Sequence, residues 1–248
     1  MISVTSLFPS TRRFAACMAL TALLGGAAVA PRGPAGPARA GTAPTVAAAP
    51  APSGMPAPAV AGGVPSALIR SDLGLREGPV AVPLHLLIPT LGVRALVAGV
   101  GITTAGVMDA PMGSADSPVW QEAFWYRGSA VPGAASTAVL AGHVNSPHGR
   151  PAVFSHIDEL RSGDPIVVRD TRTGLDVRFT VGSSETYSLR EAADPSVLRR
   201  IYGVGPVAGT SPQPSADGRA HLTLITCAGT FRNGTHDRRL VVYATGDA

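Results

Sequence analysis

Short apolar runs separated by turn-forming residues recur from about residue 80 to the end of the chain. Each run is five to seven residues long and rich in β-branched and aromatic residues. Glycine and proline lie between them, as at Gly113, Pro132-Gly133 and Thr173-Gly174. This texture predicts many short strands in a barrel or a sandwich. The predicted strands are 84–88, 93–97, 120–126, 137–141, 165–169, 175–181, 222–227 and 239–244.

Two helices are expected within this β-rich part. One spans 152–160. The other spans 195–202, where Asp194 is placed to cap the helix and Pro195 occupies its first position. About 165 residues from residue 81 onward are enough for one sizeable core.

The first 80 residues have a different composition. Arg12-Arg13 precede an uncharged apolar stretch at 14–30, so residues 1–30 are expected to be a signal peptide or a membrane anchor. Both alternatives place the rest of the chain outside the cytoplasm. Residues 31–80 are dominated by Ala, Pro and Gly and are expected to be a disordered linker, with a short helix possible at 66–76.

Charge and composition exclude several kinds of reaction and disfavour several kinds of partner. The net charge is +4 with 20 basic residues, all of them arginine, so no lysine is available for a Schiff base or a phosphate-binding loop. The arginines are spread out, which disfavours nucleic acid as a partner. No metal-binding motif is present, and neither a metal nor a cofactor is expected. Because Cys17 falls in the apolar N-terminal segment, a disulfide between Cys17 and Cys227 is not expected.

Candidate chemistry is concentrated near the C-terminus. Alternation places Thr223, Ile225 and Cys227 on one face of the 222–227 strand. If this strand pairs with 239–244, Cys227 and Arg239 lie together, and a nearby cation favours the thiolate. A buried structural thiol is the alternative, because cysteine is often a core residue.

His143 is a second candidate, at the end of the 137–141 strand, where catalytic groups are often held. Strand capping is the alternative role. The other histidines are expected to be structural or solvated: His85, His148, His156, His221 and His236. His236, in the loop before the last strand, has lining of the cleft as its alternative role.

Three strings together resemble the sortase family: AGHVN at 141–145, TLITC at 223–227 and RLVVYA at 239–244. The resemblance covers about residues 80–244 and is greatest to classes F and E of high-GC Gram-positive bacteria. It implies a closed β-barrel of about eight strands with short connecting helices. It also implies a cysteine transpeptidase that cleaves an LPxTG-like signal between Thr and Gly through a thioacyl intermediate. The implied partners are surface proteins with C-terminal sorting signals and an amine of a peptidoglycan precursor.

The same resemblance implies a role for each site residue. Cys227 is the expected nucleophile, His143 the general acid and base, and Arg239 the group that holds the substrate and the oxyanion. Arg238 is an alternative for the third role if a bulge shifts the strand. No Asp-Pro-aromatic lid precedes the domain, which indicates single-protein anchoring and not pilus assembly.

Other functions are weighed against this one. An L,D-transpeptidase also uses Cys, His and Arg, but LITCAG differs from its SHGC-type motif. A papain-like protease carries its Cys before its His, the reverse of the order here. A non-catalytic exported β-domain that binds wall polymers is the remaining alternative.

Overall fold

The structure is a computed structural model that describes residues 74–103, 108–232 and 234–247. The predictions for 1–30, for the linker up to residue 73 and for most of the 66–76 helix lie outside these residues. Residues 74–77 form a turn, in which the amide of Glu77 donates to the carbonyl of Gly74 at 3.0 Å. Among the described residues, no helix has both the length and the apolar character needed to cross a membrane.

Eight strands close into a barrel in the order β1-β2-β3-β4-β7-β8-β6-β5. The β2–β3 and β4–β7 pairs are parallel and the other six pairs are antiparallel. The expected closed barrel of about eight strands is confirmed. The strands are β1 (Val80–Ile88), β2 (Val93–Val100), β3 (Ala123–Tyr126), β4 (Thr137–Gly142), β5 (Pro165–Asp170), β6 (Asp176–Ser188), β7 (His221–Arg232) and β8 (Thr235–Gly246).

Helical segments are short and lie in the connections. They are α1 (Leu189–Ala192), α2 (Pro195–Tyr202) and 3-10 turns at Pro89–Leu91, Pro118–Gln121, Ile157–Glu159 and Pro206–Ala208. The α2 prediction is confirmed with its cap, because the Asp194 side chain accepts a hydrogen bond from the amide of Ser196 at 2.8 Å. The prediction of a strand at 120–126 is correct only from residue 123, since Trp120 lies in a 3-10 turn.

The predicted helix at 152–160 is wrong. Only Ile157–Glu159 is helical, as a single 3-10 turn. The amides that would start a helix are bonded to other segments, with Val153 donating to the carbonyl of Trp120 at 2.8 Å and Phe154 to that of His143 at 2.9 Å. Tertiary bonds to the neighbouring loops therefore override the local helical pattern.

Two hydrophobic cores lie on the two faces of the barrel wall. The first fills the interior with side chains from all eight strands, including Leu224 of β7 and Leu140 of β4. The second lies outside the wall, where Ala141, Ile225 and Val241 pack with side chains of α1 and α2. The predicted alternation along 222–227 is confirmed, because Leu222 and Leu224 face the interior core and Ile225 faces the outer one.

The β7–β8 hairpin contains a bulge at Gly229. Pairing is regular from His221 to Ala228, shifts, and then resumes at Phe231 and Arg232. Gly229 lies within β7 with φ of +78°. Asp237 accepts a hydrogen bond from the amide of Thr230 at 2.8 Å across this bulge. The bulge therefore separates a barrel part of the hairpin from a projecting tip.

Replacing Gly229 with alanine should destabilise the fold. An added Cβ would lie 2.1 Å from an Asp237 carboxylate oxygen, and the left-handed backbone conformation is unfavourable for alanine. We expect the free energy of unfolding to fall by about 1–3 kcal/mol, measured by urea denaturation. Gly182→Ala is the matched control, because a Cβ there meets only a carbonyl oxygen at 3.6 Å. Equal stability of the two variants would contradict the strain at Gly229.

Candidate active site

Strands β4, β7 and β8 bring three predicted site residues side by side. Cys227 is paired directly with Arg239 across the antiparallel hairpin. On the other side, Ala141 is paired with Ile225 in the parallel β4–β7 ladder, so continuing this register places His143 beside Cys227. Residues at matching positions share a face of the sheet. All three side chains therefore project from the outer face of the barrel, with Cys227 in the middle.

A side-chain hydrogen bond holds this register where the ladder ends. The hydroxyl of Thr226 donates to the carbonyl of Gly142 at 2.8 Å, and Thr226 is fully buried. Gly142 lies against the buried ring of Phe154, which an added Cβ would approach to 2.5 Å. Thr226 and Gly142 thus fix the backbone immediately before Cys227 and His143, respectively.

The Cys227 side chain is buried, with 1% of its surface exposed. The expectation that Cys227 forms no disulfide with Cys17 depends on the position of Cys17. Cys17, the only other cysteine of the chain, lies outside the described residues. Because the thiolate is the nucleophilic form of cysteine, chemistry at Cys227 requires the reduced protein, and activity measurements require a reductant.

His143 is enclosed by aromatic rings and by a loop carbonyl. Its ring centroid lies 4.7 Å from that of Trp120 and 5.4 Å from that of Phe124. Nε2 lies 2.9 Å from the carbonyl oxygen of Pro111. Because a carbonyl only accepts hydrogen bonds, Nε2 carries the proton in this contact, which leaves Nδ1 for proton exchange. Burial lowers the pKa of His143, and the Pro111 carbonyl opposes this in part.

Arg239 is a buried cation whose guanidinium makes only some of the hydrogen bonds that it can donate. Its Nη1 donates to the carbonyls of Arg238 at 2.7 Å and His236 at 3.2 Å. Its Nη2 has no hydrogen-bond partner among the described residues. Burial lowers the pKa of Arg239 to about 10, opposed by Tyr202, so the group stays positively charged at neutral pH. Arg238, in contrast, is exposed and pairs with Ala228.

The prediction of His236 as a solvated loop residue is wrong, and its position agrees with the alternative role of lining the cleft. It lies in β8 with 9% of its surface exposed, and its ring packs 5.0 Å from that of Phe231. His236 and His143 both line an open cleft with about 490 Å³ of empty space, part of it in contact with solvent. We call this the His143 cleft. Its other lining residues are Met112, Trp120, Val144, Asn145, Ser146, Pro147, Phe231 and Gly234.

The remaining histidines are placed as expected. His85 lies within β1, and His148 is exposed. His156 pairs with Glu159 at 2.9 Å and His221 with Asp217 at 3.0 Å, both away from the cleft. Within the described parts of the chain, no three His, Cys, Asp or Glu side chains are grouped as metal ligands.

Sequence reasoning did not find several residues around the site. The sequence analysis placed Trp120 in a strand and gave it no role in the site. Pro111 contacts His143 through its backbone carbonyl, which no side-chain pattern in the sequence can indicate. Asn145 follows His143 by two residues in the AGHVN string, so the sequence contained a signal that could have identified it.

Comparisons with known proteins identify a family for this chain. A family model described as "Sortase domain" matches residues 86–247, more than half of the chain. No curated protein matches the chain. Similar solved structures include sortase A from Corynebacterium diphtheriae, with 20% identity and a TM-score of 0.45, over 69% of this chain and 62% of that one.

Two further structures are sortases C. Sortase C-1 from Actinomyces oris has 19% identity and a TM-score of 0.43, over 66% of this chain and 73% of that one. The lid mutant of Streptococcus agalactiae sortase C1 has 19% identity and a TM-score of 0.44, over 66% and 69% of the two chains.

Opening the aromatic enclosure should raise the pKa of His143. In Trp120→Ala, water would reach the imidazole and relieve the desolvation that lowers its pKa. We expect an NMR titration of the His143 ring protons to move toward the ordinary histidine value. The resonances of histidines away from the cleft provide the internal reference. An unchanged or lower pKa of His143 would contradict burial as the cause.

Proposed function

Because the chain belongs to the sortase family, we propose that it is a cysteine transpeptidase that cleaves an LPxTG-like sorting signal between Thr and Gly. It then transfers the cleaved protein to a cell-wall amine. The observation that supports this proposal is the register of β4, β7 and β8: Cys227 pairs with Arg239, and β4, which ends just before His143, runs beside β7. Substrates therefore meet a nucleophile, a proton donor and a cation on one face.

The reaction begins at Cys227. Its thiolate attacks the carbonyl carbon of the threonine, and a C–S bond forms as the carbonyl becomes an oxyanion. His143 gives a proton to the glycine nitrogen, the C–N bond breaks, and the glycine amine leaves. The threonine carbonyl remains on sulfur as a thioester. An incoming amine then reverses these steps, returning Cys227 as thiolate and a proton to His143.

Arg239 is suited to hold the oxyanion. A fixed donor stabilises charge that develops in the transition state because it needs no reorganisation. The carbonyls of Arg238 and His236 fix Nη1, while Nη2 is free to donate to the substrate. The low polarity that lowers the pKa of Arg239 also strengthens its attraction for an oxyanion.

The lowered pKa of His143 sets the population of the reactive form. At neutral pH most molecules hold a neutral imidazole, so the combination of thiolate and imidazolium is a minor species. In return, the imidazolium that does form is a strong acid toward the departing glycine amine. Proton transfer is assigned to Nδ1, because Nε2 is bonded to Pro111.

The more specific assignments, of class, domain bounds, localisation and partners, rest on the sequence. We place the protein nearest class F or class E, with residues 81–248 as the catalytic domain, 31–80 as a linker, and 1–30 as a signal peptide or anchor. The localisation proposed is extracytoplasmic, either membrane-anchored or exported to the wall. The partners proposed are surface proteins bearing C-terminal sorting signals and a peptidoglycan-precursor amine. The family match does not favour an L,D-transpeptidase or a non-catalytic β-domain.

A peptide assay tests the activity. The reduced full-length protein, given a fluorogenic LPxTG peptide and an amine, should produce a cleaved peptide and a ligated product. Cys227→Ala should abolish both products because no thioester can form. His221→Ala is the matched control, at the opposite end of the same hairpin. Cleavage that persists in Cys227→Ala would contradict the assigned nucleophile.

A second comparison separates the two adjacent arginines. Arg239→Lys should lower kcat about 100-fold or more, because lysine lacks the forked donors that serve an oxyanion. Arg238→Lys should change kcat less than about threefold, as expected for an exposed side chain. Rates are measured at saturating peptide, with circular dichroism as the check on folding. The reverse ranking would assign the role to Arg238.

A further inference from the structure

One aromatic residue holds the imidazole of His143 in two ways. The Trp120 ring packs against it, with 4.7 Å between the ring centroids and 57° between the ring planes. The indole Nε1 of Trp120 also donates to the carbonyl of Ser114 at 2.7 Å. Shortly before Ser114 in the chain, the Pro111 carbonyl oxygen lies 2.9 Å from Nε2 of His143. Trp120 therefore contacts the imidazole directly and anchors the segment that supplies its hydrogen-bond acceptor.

Residues 108–117, which we call the Pro111 segment, are attached to the rest of the domain near both ends. At the start, Met108 is bridged to Ile102, just after β2. Toward the end, the indole bond to Ser114 connects the segment to the wall of the His143 cleft. Pro111 lies between these two attachments, so the distance from its carbonyl to the imidazole depends on both.

An exposed ion pair also contacts the end of the Pro111 segment. Nη1 of Arg150 lies 2.7 Å from a carboxylate oxygen of Asp116, and the two side chains are 67% and 80% exposed. Exposed pairs of this kind contribute little to stability, because water weakens the attraction between their charges. The Trp120 side chain, in contrast, is buried. The indole bond is therefore the stronger attachment at this end of the segment.

The Pro111 contact decides which nitrogen of His143 exchanges protons. A neutral imidazole has one nitrogen that donates and one that accepts. While Nε2 donates to the Pro111 carbonyl, Nδ1 carries the lone pair and can take up a proton. If the carbonyl moves away, the second tautomer is no longer disfavoured. A fraction of the molecules then carries its proton on Nδ1, where it blocks proton uptake.

We propose that Trp120 is a positioning residue for the transfer reaction: its ring and its indole N–H together keep Nε2 of His143 on the Pro111 carbonyl, which leaves Nδ1 to exchange protons. This inference rests on the proposed function, in which His143 moves protons. Trp120 itself forms and breaks no bond to the substrate. The proton that Nδ1 gives to the departing glycine nitrogen is replaced by one from the incoming amine.

Trp120→Phe tests the proposal, because phenylalanine keeps an aromatic ring beside His143 but has no N–H to donate. NMR of the imidazole nitrogens in the reduced full-length protein should show the Nε2–H tautomer in the wild type and a mixture of tautomers in the variant. The pKa of His143 should fall further in Trp120→Phe, because burial persists while the Pro111 hydrogen bond that raises this pKa weakens. Trp120→Ala should move the pKa upward, since burial is the larger cause.

The other titratable groups around His143 are the same in each of these variants. They lie on the strands, on the Pro111 segment and beside Trp120: Cys227, Arg239, His236, Asp109, Asp116 and Glu122. A difference between the two substitutions therefore reports on the two contacts of Trp120.

The peptide assay supplies the kinetic readout. Losing the order that one hydrogen bond provides should lower kcat of Trp120→Phe about 10-fold. The KM for the LPxTG peptide should stay the same, because a positioning residue acts on His143 and not on the peptide. A raised KM with an unchanged kcat would instead show that Trp120 binds the peptide, and would overturn the positioning role.

Trp125 gives a matched control. It is also buried, and its indole Nε1 donates to the carbonyl of Ala130 at 2.9 Å, but its ring lies in the interior core. Trp125→Phe therefore removes the same kind of bond and should lower stability to urea by a similar amount. It should leave the tautomer and the pKa of His143 unchanged. Asp116→Asn, which breaks the exposed ion pair, should leave them unchanged as well.

The outcomes separate this inference from the proposed function. If the wild-type protein cleaves no peptide, the proposed function fails, whereas the NMR measurements still test the hold of Trp120 on His143. If Trp120→Phe keeps the wild-type tautomer and kcat, the inference is overturned. Equal effects of Trp120→Phe and Trp125→Phe on kcat and on the pKa of His143 would reduce both to a loss of stability, and would also overturn it.

Discussion

The pairing of β7 with β4 on one side and β8 on the other is the constraint on which the site depends. Side chains alternate along a strand, so a slip of one residue would turn Cys227 toward the barrel interior. Two features oppose such a slip. Leu222 and Leu224 are anchored in the interior core, and the Thr226 hydroxyl is bonded to the carbonyl of Gly142. The packing of side chains inside the barrel therefore determines where the site residues lie on its outer face.

The outer core gives this site its electrostatic character. Trp120 and Phe124 enclose the imidazole of His143, and Arg239 is buried with Tyr202 as its electrostatic neighbour. Removing water lowers the pKa of both bases, since each is charged when protonated. The fold thus uses one apolar layer both to hold its helices on the barrel and to tune the groups that move protons and bind charge.

The sequence pattern predicted the secondary structure correctly where interactions between residues close in the chain determine it. The α2 helix was predicted to the residue because Asp194 and Pro195 mark its start, and most strands were found within a few residues. The helix at 152–160 was wrong because its amides bond to distant carbonyls. The parallel β4–β7 pair has no local signal, so the proximity of His143 and Cys227 came from the family resemblance. For His236 the solvated loop was preferred to the cleft, because its burial arises from the bulge at Gly229 and from the loop after β4.

The Gly229 bulge has a consequence for how this enzyme can diversify. Upstream of it, the hairpin is part of the closed wall and carries Cys227 in register with Arg239. Beyond it, Phe231 and His236 belong to a tip that contacts the loop after His143 but not the barrel interior. Changes of length or composition in the tip can thus accumulate without shifting the nucleophile. The hairpin therefore has two mechanically separate parts, one built into the barrel wall and one that projects beyond the bulge.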